Sequence, residues 1–166
     1  MKLERVEFIY ADIPLVRPFQ TSFSTQTVRH LIVVKAHTSV GIGWSECVAM
    51  AEPLYSSEYL SACVDVIKSF FLPTLKNAGE FEVSQISKIL EPFLGHPMAK
   101  AALETACLDA QLRSENRSFA QFFGATKTKV DCGVSVGISP SIEKLEEEVA
   151  SYVEQGYKRI KLKIQH

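Results

Sequence analysis

Apolar and polar positions alternate over the first stretch of the chain. Val6, Phe8 and Tyr10 share one side of a strand predicted from about Lys2 to Leu15. Pro14 and Pro18 lack a ladder donor and interrupt regular pairing, so the stretch from Pro18 to Ser24 reads as a loop. Val28 to His37 is rich in β-branched residues and predicts a second strand. Ser39, Gly41 and Gly43 mark the turn region, and Ile42 to Glu46 returns as a third strand. The chain therefore begins as a three-stranded antiparallel meander. A second loop follows, containing Pro53 and Tyr55.

The period then changes from two to near four. Leu60, Val64, Ile67 and Phe71 predict a helix with Ser56 or Ser57 at its start and Pro73 as its stop. Val83, Ile86 and Leu90 mark a short helix. Met98 to Arg113 predicts a long one, whose Ala99, Ala102, Leu103, Ala106 and Ala110 form a small-residue face suited to close packing. Phe119, Phe122 and Phe123 make a short hydrophobic turn that Gly124 ends.

From Val130 the pattern alters again. Val130 to Ile138 predicts a strand. Ser139-Pro140-Ser141 opens a helix with Leu145, Val149 and Val153 as its buried stripe, Gly156 stops it, and Lys158 to Ile164 predicts another strand. Strand, helix and strand in that order predict a parallel pair with a right-handed crossover. A lone unit of this kind buries too little to stand as a domain, so it reads as the opening of a longer α/β structure. The fold expected is an α+β domain over residues 1–125, then the first βαβ of a (β/α)8 barrel over residues 126–166, incomplete.

Composition changes little in this picture. Apolar residues at 46% allow a sizeable core, and a net charge of −1 gives no general attraction to nucleic acid or an anionic membrane. The apolar runs, such as Leu31 to Val34, are far below a membrane span, and charges interrupt the N-terminus, so cytoplasmic residence is expected. Cys47, Cys63, Cys107 and Cys132 form no CxxC pair and read as reduced packing residues, with Cys47 near a loop.

The chemistry concentrates in Arg159-Ile160-Lys161-Leu162-Lys163-Ile164. On a strand, Ile160, Leu162 and Ile164 share one face, and Lys161 and Lys163 share the other, about 6.6 Å apart. In a parallel barrel the lysines would point inward near the C-terminal mouth, where barrel enzymes hold their active sites. Like charges this close disfavour double protonation, and a lysine tuned toward neutrality takes a proton from a weakly acidic C–H. The same two lysines would also serve as solvated residues of an exposed strand.

The order of elements, the Pro18-to-Ser22 stretch and Gly43-Trp44-Ser45-Glu46-Cys47 with Pro53 and Tyr55 after it look like the muconate-lactonizing subgroup of the enolase superfamily. So do the helix from Lys100 to Asp109, Val134-Ser135-Val136-Gly137-Ile138 and Lys161-Leu162-Lys163. Within that subgroup the resemblance is to the o-succinylbenzoate synthase and N-acylamino acid racemase group. It covers the whole chain and less than half of a full member. It implies that residues 1–125 form the capping domain and that Lys163 is the acid/base, with Lys161 beside it to tune it. It implies that Ser135 touches substrate, and that Phe19 and Met50 in the two loops close over the pocket. Phe19 and Met50 serve equally well as plain core residues. The implied activity is Mg²⁺-dependent removal of the proton α to a carboxylate, followed by loss of water in menaquinone biosynthesis. Racemisation of N-acylamino acids and epimerisation of dipeptides share the first half of that reaction. The implied partner is a small carboxylate substrate, with a homo-oligomer left open. Three acidic Mg²⁺ ligands and an opposing lysine are expected beyond residue 166, so the chain alone is expected to be inactive. Asp109 and Glu104, on a capping-domain helix, cannot replace those ligands. A non-catalytic capping-domain interaction module is the alternative of a different class.

Other signals carry less. Gly43-Trp44-Ser45-Glu46-Cys47 lacks the final glycine and the strand-to-helix turn of a nucleophile elbow. His30, His37, His96 and His166 have no metal-binding spacing, and Glu143, Glu146, Glu147 and Glu148 read as the solvated face of a helix.

Overall fold

The computed structural model describes residues 1–164, so the expectation for His166 lies outside the described residues. Three strands, β1 (Leu3–Gln20), β2 (Thr25–Thr38) and β3 (Gly41–Cys47), form one sheet in the order β1-β2-β3, with β2 and β3 antiparallel. β1 runs through Pro14 and Pro18, past the point where a loop was expected. It is an edge strand, and there a missing N–H need not break the ladder. Gly41, at φ 140°, makes the β2–β3 turn. Gly43 lies inside β3 rather than in the turn, and it is buried.

The chain divides into two compact units. The first comprises Met1–Asp12 and His30–Ala125, and the second comprises Ile13–Arg29 and the chain from Thr126 onward. In the first unit, alternation sends Ile32, Val34 and Ala36 of β2 into the core, each fully buried. Helices α1 (Leu60–Val66), α2 (Leu72–Ala78), α3 (Ile86–Ile89), α4 (Pro97–Ser114) and α5 (Phe119–Phe122) follow. Phe71, Leu75, Leu103 and Leu112 belong to the same core. The small-residue face expected for α4 is present, with Ala99, Ala102, Leu103, Ala106 and Ala110 all buried. The opposite face of the sheet mixes charged groups with Val33, Ile42 and Trp44. There His37 pairs with Glu7 at 2.6 Å, and Arg5 pairs with Glu7 at 2.8 Å. The His37 hydrogen bond, helped by the Arg5 and Lys35 charges, holds the Glu7 carboxyl below its ordinary value.

Pro73 does not stop its helix. Residues Ile67–Phe71 widen into a π turn, in which the Leu72 N–H reaches the carbonyl of Ile67 five residues back. The bulge puts Pro73 in the first turn of α2, where a proline N–H is not needed. The expected serine cap is also replaced. Tyr59 is the N-cap of α1 without a side-chain bond, and the Leu60 N–H goes to the Met50 carbonyl at 2.9 Å.

The start of α4 is held from a distance. His96, its N-cap, is left-handed at φ 55° and supplies no capping bond. Glu58, only 6% exposed, accepts the Met98 N–H at 2.9 Å and the Ala99 N–H at 3.1 Å instead. A carboxylate there meets both the free donors and the positive end of the helix dipole. The Cys63 thiol donates to the same carboxylate at 3.6 Å, and its pKa is raised by its contact with Cys47, by burial and by Glu58. Burial, with the Glu104 charge, pushes the Cys107 thiol up to about 12. Of the four cysteines, Cys132 is exposed, contrary to the packing role expected for it, while Cys47 is buried. Glu58→Ala is expected to cost about 2–3 kcal/mol, because it strands buried donors. Glu58→Gln, which keeps an acceptor, should cost about half as much. Equilibrium unfolding in urea measures both, and equal stability of Glu58→Ala and wild type would contradict the capping role.

Phe119, Phe122 and Phe123 form the expected short turn, but all three rings are exposed and pack on one another, with Phe122 and Phe123 edge to face at 5.0 Å.

The second unit contains β4 (Gly133–Val136), α6 (Ile142–Glu154) and β5 (Arg159–Leu162), together with the distal ends of β1 and β2. Ser141 caps α6 by accepting the Lys144 N–H, and Gly156 ends it at φ 85°. Leu145 and Val149 are half-buried, but Val153 is exposed, so the expected stripe is only partly covered. β4 and β5 pair in parallel, as strand, helix and strand in sequence require.

Candidate active site

The register of the parallel pair sets the chemistry. Ser135 lies opposite Lys161, while Val134 lies opposite Ile160 and Val136 opposite Leu162. Ser135 and Lys161 therefore share one face, and alternation adds Lys163 to it. The Lys163 N–H bonds the Val136 carbonyl at 3.0 Å, which carries the pairing one residue beyond β5. Lys163 is half-buried and Lys161 exposed. The apolar alternates differ in depth. Val136 is fully buried, whereas Leu162 and Ile164 are exposed.

The distal end of β1 lies against the C-terminal end of β4. The Ile138 N–H donates to the Gln20 carbonyl at 3.0 Å. Gly137 makes that approach feasible, because a Cβ there would lie 3.1 Å from the Gln20 N, 3.2 Å from the Gln20 carbonyl oxygen and 3.6 Å from the Phe19 ring. The result is a pocket of about 380 Å³ lined by residues that include Phe19, Gln20, Ser135, Gly137 and Ile138. Two of the five candidates, Phe19 and Ser135, thus meet in one pocket. Lys161 and Lys163 stand on the strand beside Ser135. Met50 belongs to the other unit, where it bridges to Tyr59. A larger basin of about 960 Å³, with Lys127, Lys129 and Lys158 among its lining, lies at the strands' N-terminal ends. Parallel α/β folds keep their reactive groups at the C-terminal ends, so the Phe19–Ser135 pocket is the candidate.

Several contributors escaped the sequence reading. Arg17 pairs with Glu148 at 2.8 Å and donates to the Tyr152 hydroxyl. Glu148 is therefore not simply part of a solvated helix face. Residues this distant in sequence leave no spacing signal. Gly137 had a readable cue, a glycine at a strand end, but its neighbour Gln20 did not. Among the described residues no cluster of His, Cys, Asp and Glu could hold a metal ion, so these residues do not fit a divalent cation. No helix among them is long and apolar enough to cross a membrane.

A three-stranded antiparallel sheet with helices on one face, followed by a parallel βαβ with paired lysines, defines a capping domain of the enolase type. The model of the mandelate racemase / muconate lactonizing enzyme N-terminal domain matches residues 5–124, and the chain belongs to that family. It is 48% identical to an N-succinylamino acid racemase of an Amycolatopsis species, over 99% of this chain and 45% of that protein. It is 36% identical to an o-succinylbenzoate synthase of Listeria innocua, over 99% of this chain and 44% of that one. A crystal structure of an enolase-superfamily member from the same organism superposes with a TM-score of 0.91 at 36% identity, over 99% of this chain and 44% of the other. The chain therefore spans less than half the length of the curated relatives it matches.

Proposed function

We propose that the protein carrying this chain is an enzyme that removes the proton α to a carboxylate, with Lys163 as the base. The observation that carries the reading is the placement of Lys163 and Lys161 on one strand face beside Ser135, at the C-terminal end of a parallel pair. Lys163 takes the α-proton, and the electron pair left behind delocalises onto the carboxylate as an enediolate. Lys161 stands beside it on the same strand face. Ser135 and Phe19 orient the substrate. In this reading residues 126 onward open a (β/α)8 barrel and residues 1–125 cap it. A divalent cation such as Mg²⁺ would need ligands outside these residues.

Expulsion of the β-hydroxyl as water would complete an o-succinylbenzoate synthase reaction of menaquinone biosynthesis in the cytoplasm. Reprotonation from the opposite face would instead racemise an N-succinylamino acid. The 48% identity to an N-succinylamino acid racemase favours this second reading. Both substrates carry a succinyl arm, and both share the first proton transfer. The full-length protein should be assayed on each with added Mg²⁺. Product from o-succinylbenzoate's hydroxylated precursor supports dehydration, and loss of optical rotation by N-succinylamino acids supports racemisation. Inertness toward both would contradict the proposal. Residues 1–166 alone are expected to give no turnover in either assay.

A further inference from the structure

The distal part of β1 has little apolar anchoring. Val16 is fully exposed, Ile13 is half exposed, and Pro14 and Pro18 each lack an N–H for the ladder. A segment held this thinly opens at low cost unless side chains fix it. Arg17 is placed to do so. Its Nη1 meets Glu148 Oε1 of α6 at 2.8 Å, and its Nη2 donates to the Tyr152 hydroxyl one turn further along the same helix. Its guanidinium also lies over the Tyr152 ring, 5.2 Å from the centroid. Tyr157 braces that ring edge to face at 5.4 Å. The Glu148 side chain is only 22% exposed, so the pair is partly shielded from water and salt. A planar fork that bonds two groups and stacks on one of them has a fixed geometry that lysine cannot reproduce.

We infer that Arg17 is a positioning residue, which latches the tip of the β1–β2 hairpin onto α6 and thereby sets Phe19 beside Ser135. Only Pro18 separates Arg17 from Phe19, so little slack lies between the latch and the ring. The chain beyond is pinned to the end of β4 by the Ile138-to-Gln20 bond, and Gly137 leaves room for it. Opening the latch would move Phe19 without disturbing Lys163, whose backbone is held by Val136 on the neighbouring strand. The inference rests on the proposed proton-abstraction site for its function, but the latch itself is observable without turnover.

The test uses Arg17→Ala, Arg17→Lys, Glu148→Ala and the Arg17/Glu148 double variant in the full-length protein. Hydrogen exchange at the Ile138 amide should accelerate about tenfold in Arg17→Ala, while amides of β2 and β3 keep their protection. KM for the succinyl substrate that the wild type turns over should rise about tenfold with kcat within about twofold, the pattern of lost binding with intact chemistry. Arg17→Lys should recover part of both effects, and the double variant should lose little more than either single one. Unchanged Ile138 exchange in both Arg17→Ala and Glu148→Ala overturns the latch, whatever the activity. Faster exchange with an unchanged KM overturns the positioning role. A wild type inert toward both substrates, with Ile138 still accelerated by Arg17→Ala, ends the positioning role and the proposed function together while leaving the tether standing.

Discussion

Gly43→Ala is expected to destabilise the protein by about 4 kcal/mol or more, at the upper end of what one methyl group does in a protein core. Gly43 sits where β3 presses against α4. A Cβ there would lie 2.0 Å from the Ala106 carbonyl oxygen and 2.4 Å from the Ala110 backbone nitrogen. Those distances fall inside any van der Waals contact, so the strand or the helix must move. Neither moves freely. On one side the Trp44 N–H donates to Asp109 Oδ2 at 2.9 Å, and on the other the Ser45 hydroxyl donates to the Ala102 carbonyl. Asp109 is itself nearly buried and is held by Arg113 at 2.7 Å. A shift large enough to admit the methyl breaks these bonds and opens the alanine seam. Both of the closest atoms are backbone, so trimming Ala110 to glycine should not rescue the variant. Thermal unfolding of Gly43→Ala, alone and with Ala110→Gly, checks this. A loss below about 1 kcal/mol would show that the seam yields more easily than its geometry implies.

Lys163→Ala in the full-length protein is expected to lower kcat by about 10³-fold or more, because it removes the proposed base itself. The fold should survive. Lys163 is half-buried at the end of a short strand pair, and its pairing bond is made by its backbone N–H, which alanine keeps. Lys161→Ala should cost less, about tenfold to a hundredfold, because Lys161 stands beside the proposed base rather than taking the proton itself. Steady-state kinetics of the two variants separates the two lysines. Equal losses for both would mean that they act as one unit, and a larger loss for Lys161→Ala would reverse the assignment.

How much of this was legible in the sequence depended on the range of the interaction. Features carried by neighbours in sequence could be read. The alternation of β2, the alanine face of α4, the Ser141 cap and the parallel β4–β5 pair all follow from periods of two or near four. Local rules failed where distant contacts overrode them. Pro73 reads as a stop, but a π turn absorbs its missing donor so that Phe71 and Leu75 can both stay in the core. Pro14 and Pro18 read as the end of a strand, but β1 is an edge and continues to Gln20. Gly43 reads as a turn residue because its demand for space comes from a helix more than sixty residues away. Glu58 looks like any loop glutamate until α4 folds over it.

The candidate site divides in the same way. Lys161, Lys163 and Ser135 could be placed together because strand alternation and strand pairing are local and regular. Phe19 and Ser135 share a pocket through a hairpin end whose partner strand lies far along the chain, and the resemblance, not the pattern, pointed to Phe19. Arg17, Glu148 and Tyr152 gave no signal, because an ion pair between a strand and a helix over a hundred residues apart has no period.

Solvent-deuterium exchange at the substrate α-carbon tests the role of Lys163 most directly. The full-length protein is incubated in D2O with Mg²⁺ and an N-succinylamino acid, and the α-proton is followed by NMR beside a Lys163→Arg variant of equal fold and charge. Arginine stays protonated and cannot act as a base. Loss of the α-proton signal from both enantiomers with the wild type, and its persistence with Lys163→Arg for the enantiomer whose α-proton faces Lys163, is the expected result. Undiminished exchange in the variant would contradict Lys163 as the base, and its absence in both would point to a capping-domain module that performs no proton abstraction on this substrate class.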